Sequence, residues 1–159
     1  MNIRRILNYA AAAVTVTALV LFGASPVSAY PNWQTYKSNS NWDCGITSLT
    51  RVSDNVVFQT CWVITPDKTK GQVVLVVSNR GTKDVVLRQG HVWSDELEWG
   101  VGYVCNEYTL AGGQARACFG KTREFEGCGV YVGRGALYAN SLDVDYTLGA
   151  PYAFNGPCP

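Results

Sequence analysis

Six cysteines, all placed after residue 43, constrain this chain more than any other feature: Cys44, Cys61, Cys105, Cys118, Cys128 and Cys158. An even set of thiols in a short chain reads as a disulfide framework, provided the chain reaches an oxidising compartment. The first 29 residues supply that condition. Arg4 and Arg5 give a positive start, and the run from Ala10 to Phe22 is almost wholly apolar. Pro26, Val27, Ser28 and Ala29 then form a short exit, with Val27 and Ala29 at the two cleavage positions. This is the layout of a secretory signal on the general export route. The apolar run is shorter than the roughly 20 residues of a membrane span, so cleavage is expected over a retained anchor.

Cleavage after Ala29 leaves 130 residues, beginning at Tyr30, and removes two of the 13 basic residues while all 12 acids remain. A net charge near −1 argues against nucleic acid or an anionic membrane as partner, because phosphate binding needs clustered Lys and Arg. A chain of this length is one domain with a real hydrophobic core. Residues 30–43 read as an extended, polar, turn-rich arm with Tyr30, Trp33 and Tyr36 as aromatic anchors, and residues 44–159 as the braced body.

The punctuation from Cys44 onward is that of strands. Val56 to Thr65 is β-branched and aromatic, and Pro66-Asp67 ends it. Gln72 to Ser78 is a continuous apolar run of strand length, expected to be buried on both faces. Asn79-Arg80-Gly81 turns the chain into Lys83 to Gln89. Gly102 to Leu110 and Gln114 to Gly120 look like one hairpin turning at Ala111-Gly112, which would place Cys105 opposite Cys118 and allow a bridge. Gly129 to Tyr138 and Leu142 to Leu148 supply two further strands, and the tail from Gly149, with Pro151 and Pro157, reads as irregular. No helical periodicity appears. About seven short strands indicate an all-β fold, an antiparallel immunoglobulin-like β-sandwich or alternatively a small β-barrel. Six cysteines allow 15 pairings. Sequence order suggests Cys44 with Cys61 and Cys128 with Cys158, each loop contributing roughly 3 to 4 kcal/mol at most.

Chemistry-bearing groups are sparse. His91 is the single histidine and has no nucleophile motif beside it. With all thiols bridged, neither a Cys-His pair nor an ordinary zinc site can be assembled, so no enzyme activity and no cofactor are expected. Asp143 and Asp145 are two apart on an expected strand and would share a face, as would Glu124 and Glu126. Such pairs can hold calcium or serve glycoside hydrolysis, and the plainer reading is a solvated strand face. Asp95, Glu96 and Glu98 cluster between Trp93 and Trp99. Indoles beside carboxylates can stack on sugars while the acids accept hydroxyl hydrogen bonds, anchor a protein interface, or simply cover a sandwich edge. Trp62, beside Cys61, reads as core packing around a disulfide. The arm, with its spaced aromatics, can dock into a partner's groove or fold back on its own domain.

Two resemblances add to this. The stretch from Val73 to Gly81, followed by Val85-Val86-Leu87 and by Leu110 to Gln114, resembles immunoglobulin-like sandwiches of bacterial secreted proteins. The overall layout comprises an Ala-rich signal, an aromatic arm ahead of Cys44, the stretch from Gly112 to Lys121 and a terminal Cys158. It is similar to small six-cysteine proteins secreted by filamentous soil bacteria, and looks most like the adaptor subunit of umbrella toxin particles. That resemblance implies a secreted, non-enzymatic adaptor in an antibacterial complex used in interbacterial competition. The adaptor would link a lectin subunit to a repeat-containing toxin polypeptide, with Trp33 and Tyr36 as docking anchors. A lectin-like carbohydrate-binding module using Trp93 and Trp99, and an inhibitor of secreted hydrolases, are the alternatives.

Alkylation followed by intact-mass spectrometry checks the covalent expectation. The native secreted protein should begin at Tyr30 and take up no alkyl group, and the reduced protein should take up one at each of its six cysteines.

Overall fold

The alternating and continuous apolar runs do form strands. The computed structural model describes residues 32–97, 102–140 and 144–155. In chain order its strands are β1 (Trp42–Cys44), β2 (Ser48–Thr50), β3 (Ser53–Ile64), β4 (Lys70–Asn79), β5 (Val85–Ser94), β6 (Tyr103–Cys105), β7 (Tyr108–Leu110), β8 (Ala115–Phe119), β9 (Arg123–Glu124), β10 (Cys128–Ala139) and β11 (Val144–Asn155). No helix occurs among the described residues.

Two antiparallel sheets result. In the first, β3 lies between β4 on one side and β1 and β2 on the other, and β8 and β9 pair with the far side of β4. In the second, the order is β11-β10-β5, with β6 and β7 both on the free side of β5. The sheets pack face to face as a sandwich and do not close into a barrel. Their alternate residues explain the core. Val56, Phe58, Thr60 and Trp62 of β3 and Val73, Leu75 and Val77 of β4 face the second sheet, where Leu87, Val92 and Leu137 meet them. Val73 to Val77 is buried on both faces, as its unbroken apolar run requires.

The outer face of β4 is covered over much of its length by the N-terminal arm. Gln34 exchanges two backbone hydrogen bonds of 2.9 Å with Ala117, adding a bridge to the outer edge of β8. Trp33 then turns inward between the sheets, and its Nε1 donates to the Asn106 carbonyl at 2.8 Å. Tyr36 and Trp42 lie over the outer face of the first sheet, where Cys61, Val74, Val76 and Ala117 form a second small cluster. Tyr36 and Trp42 pack with ring centroids 5.5 Å apart, and Trp42 meets Phe119 edge-on. The expected boundary at residue 44 therefore falls inside β1, and the arm is part of the folded body.

Two sequence expectations change in physical detail, and the expected Cys44–Cys61 pairing holds. Cys105 and Cys118 are bonded, with Cα atoms 5.8 Å apart, but they do not face each other in a hairpin. Cys105 ends β6 in the second sheet and Cys118 lies on β8 in the first, so the turn at Ala111–Gly113 carries the chain across the sandwich and the bridge staples one sheet to the other. Cys44 and Cys61 are bonded within the first sheet, at directly opposed positions with Cα atoms 3.9 Å apart. Gly45 N donates to the Thr60 carbonyl and Ile64 N to the Asn41 carbonyl, so the alternation of the ladder makes this a non-hydrogen-bonded pair, the kind whose side chains approach closest. Trp62 does not pack on that bridge. It points to the opposite face from Cys61, against Phe125 at 5.6 Å, and its Nε1 has no protein acceptor among the described residues. Phe125 in turn gathers Tyr131, Tyr152 and Phe154 within 5.2 Å.

The tail also differs from expectation. β11 runs on to Asn155, because it is an edge strand, where Pro151 removes no ladder bond that a neighbour needs. A register shift between Val132 and Arg134 of β10 lies opposite Pro151 and absorbs the irregularity. Cys128 is disulfide-bonded, and Cys158, to which the sequence assigns it, lies outside the described residues.

Gly90 on β5 tests the arm's role in the core. A Cβ built there would sit 2.6 Å from the Trp33 ring, against an ordinary contact of nearly 4 Å. Gly90→Ala should lower unfolding free energy by about 1 to 3 kcal/mol, the usual overpacking range, measured by chemical denaturation. In a Trp33→Leu background the same substitution should be clearly less harmful.

Candidate binding surfaces

The residues singled out for chemistry do not converge on one centre. His91 is half-buried on the outer face of the second sheet, with Nε2 3.2 Å from Gln89 Oε1 and its ring 5.5 Å from that of Tyr138. No nucleophile adjoins it in these contacts. Asp145 points inward, where Arg51 N donates to it at 3.1 Å and Arg51 Nε pairs with it at 3.2 Å. Asp143 lies outside the described residues. Glu124 pairs with Lys70 across the β4–β9 ladder, and Glu126 contributes its backbone carbonyl to the Tyr131 hydroxyl. No group of three or more His, Cys, Asp or Glu side chains suited to a metal ion occurs among the described residues.

The acidic stretch after β5 serves its own loop. Trp93 Nε1 donates to Asp95 Oδ1 at 3.1 Å, and the other oxygen of Asp95 pairs with Arg134, which stands opposite Trp93 in the ladder. Glu96 accepts from the Ser94 hydroxyl and from Val132 N. These carboxylates are occupied by intramolecular donors. Trp99 and Glu98 lie outside the described residues, so the expected pair of indoles is not placed. Tyr30 lies outside them as well. Trp33, expected as a docking anchor, is committed to its own core, and of the expected aromatic anchors that are described only Tyr36 is within reach of solvent.

Features that the sequence pattern did not single out make the more distinctive surfaces. The first is the edge formed by β1, β2 and the turn into β3. Ile46, Leu49 and Val52 follow one another there with 84%, 57% and 36% exposure, and no strand pairs with the outer side of β2 among the described residues. Val52 also lines a polar cleft of about 410 Å³ at the adjoining end of the sandwich, together with Asn55, Thr82, Lys83, Asp84 and Asn140. The cleft is held open by Asn79, which is buried. Its Nδ2 donates to the Lys83 and Leu110 carbonyls and its Oδ1 accepts from Gly81 N, so one amide fixes two loops. Gly112 belongs to the same junction: a Cβ there would lie 2.7 Å from the Gly81 carbonyl oxygen. Only the run Asn79-Arg80-Gly81 hinted at this loop in the sequence.

The second surface is a groove of about 230 Å³ on the outer face of the first sheet. Val57 and Val76 form its floor, Tyr36 one bank, and Thr47 with Gln59 the other, with Ser78 and Arg80 along it. Thr47 Oγ1 donates to Gln59 Oε1 at 2.9 Å, which leaves the Gln59 amide hydrogens free. Partial burial raises the Tyr36 phenol above its ordinary pKa of 10.0, keeping it protonated.

The chain matches no protein-family model, and no curated protein or solved structure is significantly similar to it. The fold and its surfaces therefore define a class only: a disulfide-braced, all-β sandwich domain with, among its described residues, a polar cleft at one end and a groove on the outer face of the first sheet.

His91 gives a pH signature. Burial lowers its pKa below the ordinary 6.5, so the unfolded chain binds the proton first as pH falls. Stability from this group is complete above pH 6.5 and is lost as pH drops through the lowered folded value. The thermal midpoint should fall between pH 7 and pH 5, and His91→Gln should flatten that part of the profile.

Proposed function

We propose that this is a secreted, non-enzymatic adaptor that holds protein partners through the open edge of its first sheet. The observation that carries the reading is the sequence of exposed apolar side chains, Ile46, Leu49 and Val52, in and beside β2, whose outer side no strand pairs with among the described residues. A lone exposed apolar residue is ordinary, but three on one edge that runs into a polar cleft have the make-up of an interface, apolar at the centre and polar at the rim. Unpaired strand edges also recruit extended segments by backbone hydrogen bonding. The braced scaffold supports the same reading, since loops fixed by Asn79 lose little conformational entropy on binding. The leader-like N-terminal sequence and the disulfides, which persist in oxidising compartments, support the secreted part of the reading.

The resemblance to umbrella toxin adaptors supplies the candidate partners, a secreted lectin subunit and a repeat-containing toxin polypeptide. In this reading the arm works differently from the expected docking device. With Trp33 inside, it braces the body, and the partner meets the edge on the opposite side of the first sheet. A lectin role through Trp93 and Trp99 gains no support from Trp93, whose indole N–H is already bonded to Asp95.

Affinity capture from the producing strain's culture supernatant, with reconstitution from the purified partner, tests the proposal. Wild-type protein should retain a stoichiometric partner, and the double variant Ile46→Asp, Leu49→Lys should lose it while unfolding at an unchanged denaturant midpoint. Equal recovery by both proteins sinks the edge as the docking surface.

A further inference from the structure

The groove on the outer face of the first sheet has a charge that nothing in the fold uses. Arg80 lies along it, is exposed, and has no acidic partner among the described residues. Most other basic groups whose contacts are defined are engaged: Lys70 with Glu124, Arg88 with Glu107, Arg134 with Asp95, Arg51 with Asp145, and Arg116 over the Tyr108 ring. No carboxylate lines the groove among the described residues. A domain with more acids than bases thus presents here a concavity of positive sign.

We propose that this groove is a binding site for an acidic sugar, a saccharide unit bearing a carboxylate. Arg80 meets the carboxylate with its planar fork of N–H donors, the geometry that suits paired oxygens. Tyr36 and the Val57–Val76 floor offer apolar surface to the C–H face of the ring, and the phenol supplies a polar tip. The free amide of Gln59 and the hydroxyls of Thr47 and Ser78 are spaced around the rim for sugar hydroxyls. A volume of about 230 Å³ is below the roughly 300 to 1,000 Å³ of drug-sized pockets, which fits a monosaccharide unit of a longer glycan.

A sugar fits better than an acidic peptide because of where the groove lies. Its floor belongs to β3 and β4, whose backbone groups are consumed by the ladders on both sides. An extended peptide gains most of its affinity from free backbone groups at a sheet edge, and none are on offer here. Recognition must come from side chains alone, through a ring platform and scattered hydroxyl and amide groups.

The test uses the mature, disulfide-bonded protein in calorimetric titrations at low salt. The probes are tetrasaccharides containing glucuronate, galacturonate or mannuronate, a neutral chitin tetrasaccharide, and an acetylated tetrapeptide of glutamate. At least one acidic tetrasaccharide should bind, with the neutral one weaker by roughly tenfold or more, the effect of one charge-assisted hydrogen bond. Arg80→Gln should weaken that binding by a similar factor, and Tyr36→Ala should too. Lys83→Gln, in the neighbouring cleft, should leave it unchanged. Arg80 is exposed, so its replacement keeps the fold and remains decisive even if Tyr36→Ala loosens the arm. Failure of all three acidic sugars to bind overturns the proposal, as does binding indifferent to Arg80→Gln, or Arg80-dependent binding of the peptide alone. The edge substitutions Ile46→Asp and Leu49→Lys address a different surface, so either reading can fail without the other.

Discussion

The sandwich depends on how its open side is closed. Two sheets with apolar inner faces hold together by burial, but an edge where β8 of one sheet runs beside β6 of the other leaves core side chains near water. The Cys105–Cys118 bridge ties those two strands directly, and the arm seals the gap beside it. Gln34 bonds to Ala117, next to Cys118, while Trp33 bonds to the carbonyl of Asn106, next to Cys105. Two adjacent arm residues thus grip both sides of the same disulfide, and Gly90 leaves the room that the indole occupies. The covalent tie limits how far the sheets can separate, and the indole excludes water from the space that remains.

That closure has a consequence for the surface. Once Trp33 enters the core, the following residues are drawn over the outer face of the first sheet. Val74 and Val76, which in a two-layer sandwich without an arm would face solvent, become buried. The arm covers only part of that face, and the uncovered remainder, between Tyr36 and the Thr47–Gln59 pair, is the groove. The same segment that completes the core therefore also creates one wall of a concavity. Beyond β3, the outer side of β2 has no such cover among the described residues, and Ile46 and Leu49 stay in water.

Polar groups in the interior are few and each has a structural task. Asn79 fixes the two loops beside the cleft, and Asp145 holds the turn between β2 and β3 through Arg51. Trp62 is the exception, with a buried N–H near Gly133 and no protein acceptor among the described residues. The acids and indole of the loop after β5 look like a recognition site in the sequence, yet Trp93, Asp95 and Arg134 satisfy one another.

Local sequence determined the strands and the sulfur chemistry. Periodicity and β-branched content are short-range properties, so β3, β4, β10 and the first half of β5 were legible from runs such as Val73 to Val77, and the even set of cysteines pointed to bridges. Which sheet each strand joins is a long-range matter that no local pattern encodes. A turn at Ala111–Gly113 serves equally to reverse a hairpin or to cross a sandwich, and only packing chose the crossing. Likewise, Trp33 in a polar arm reads as exposed or as buried with equal force until Gly90, more than fifty residues later, provides the space for it. Both concave surfaces arise from segments distant in the chain, so tertiary structure alone brought Tyr36 to Arg80 and Val52 to Asn140.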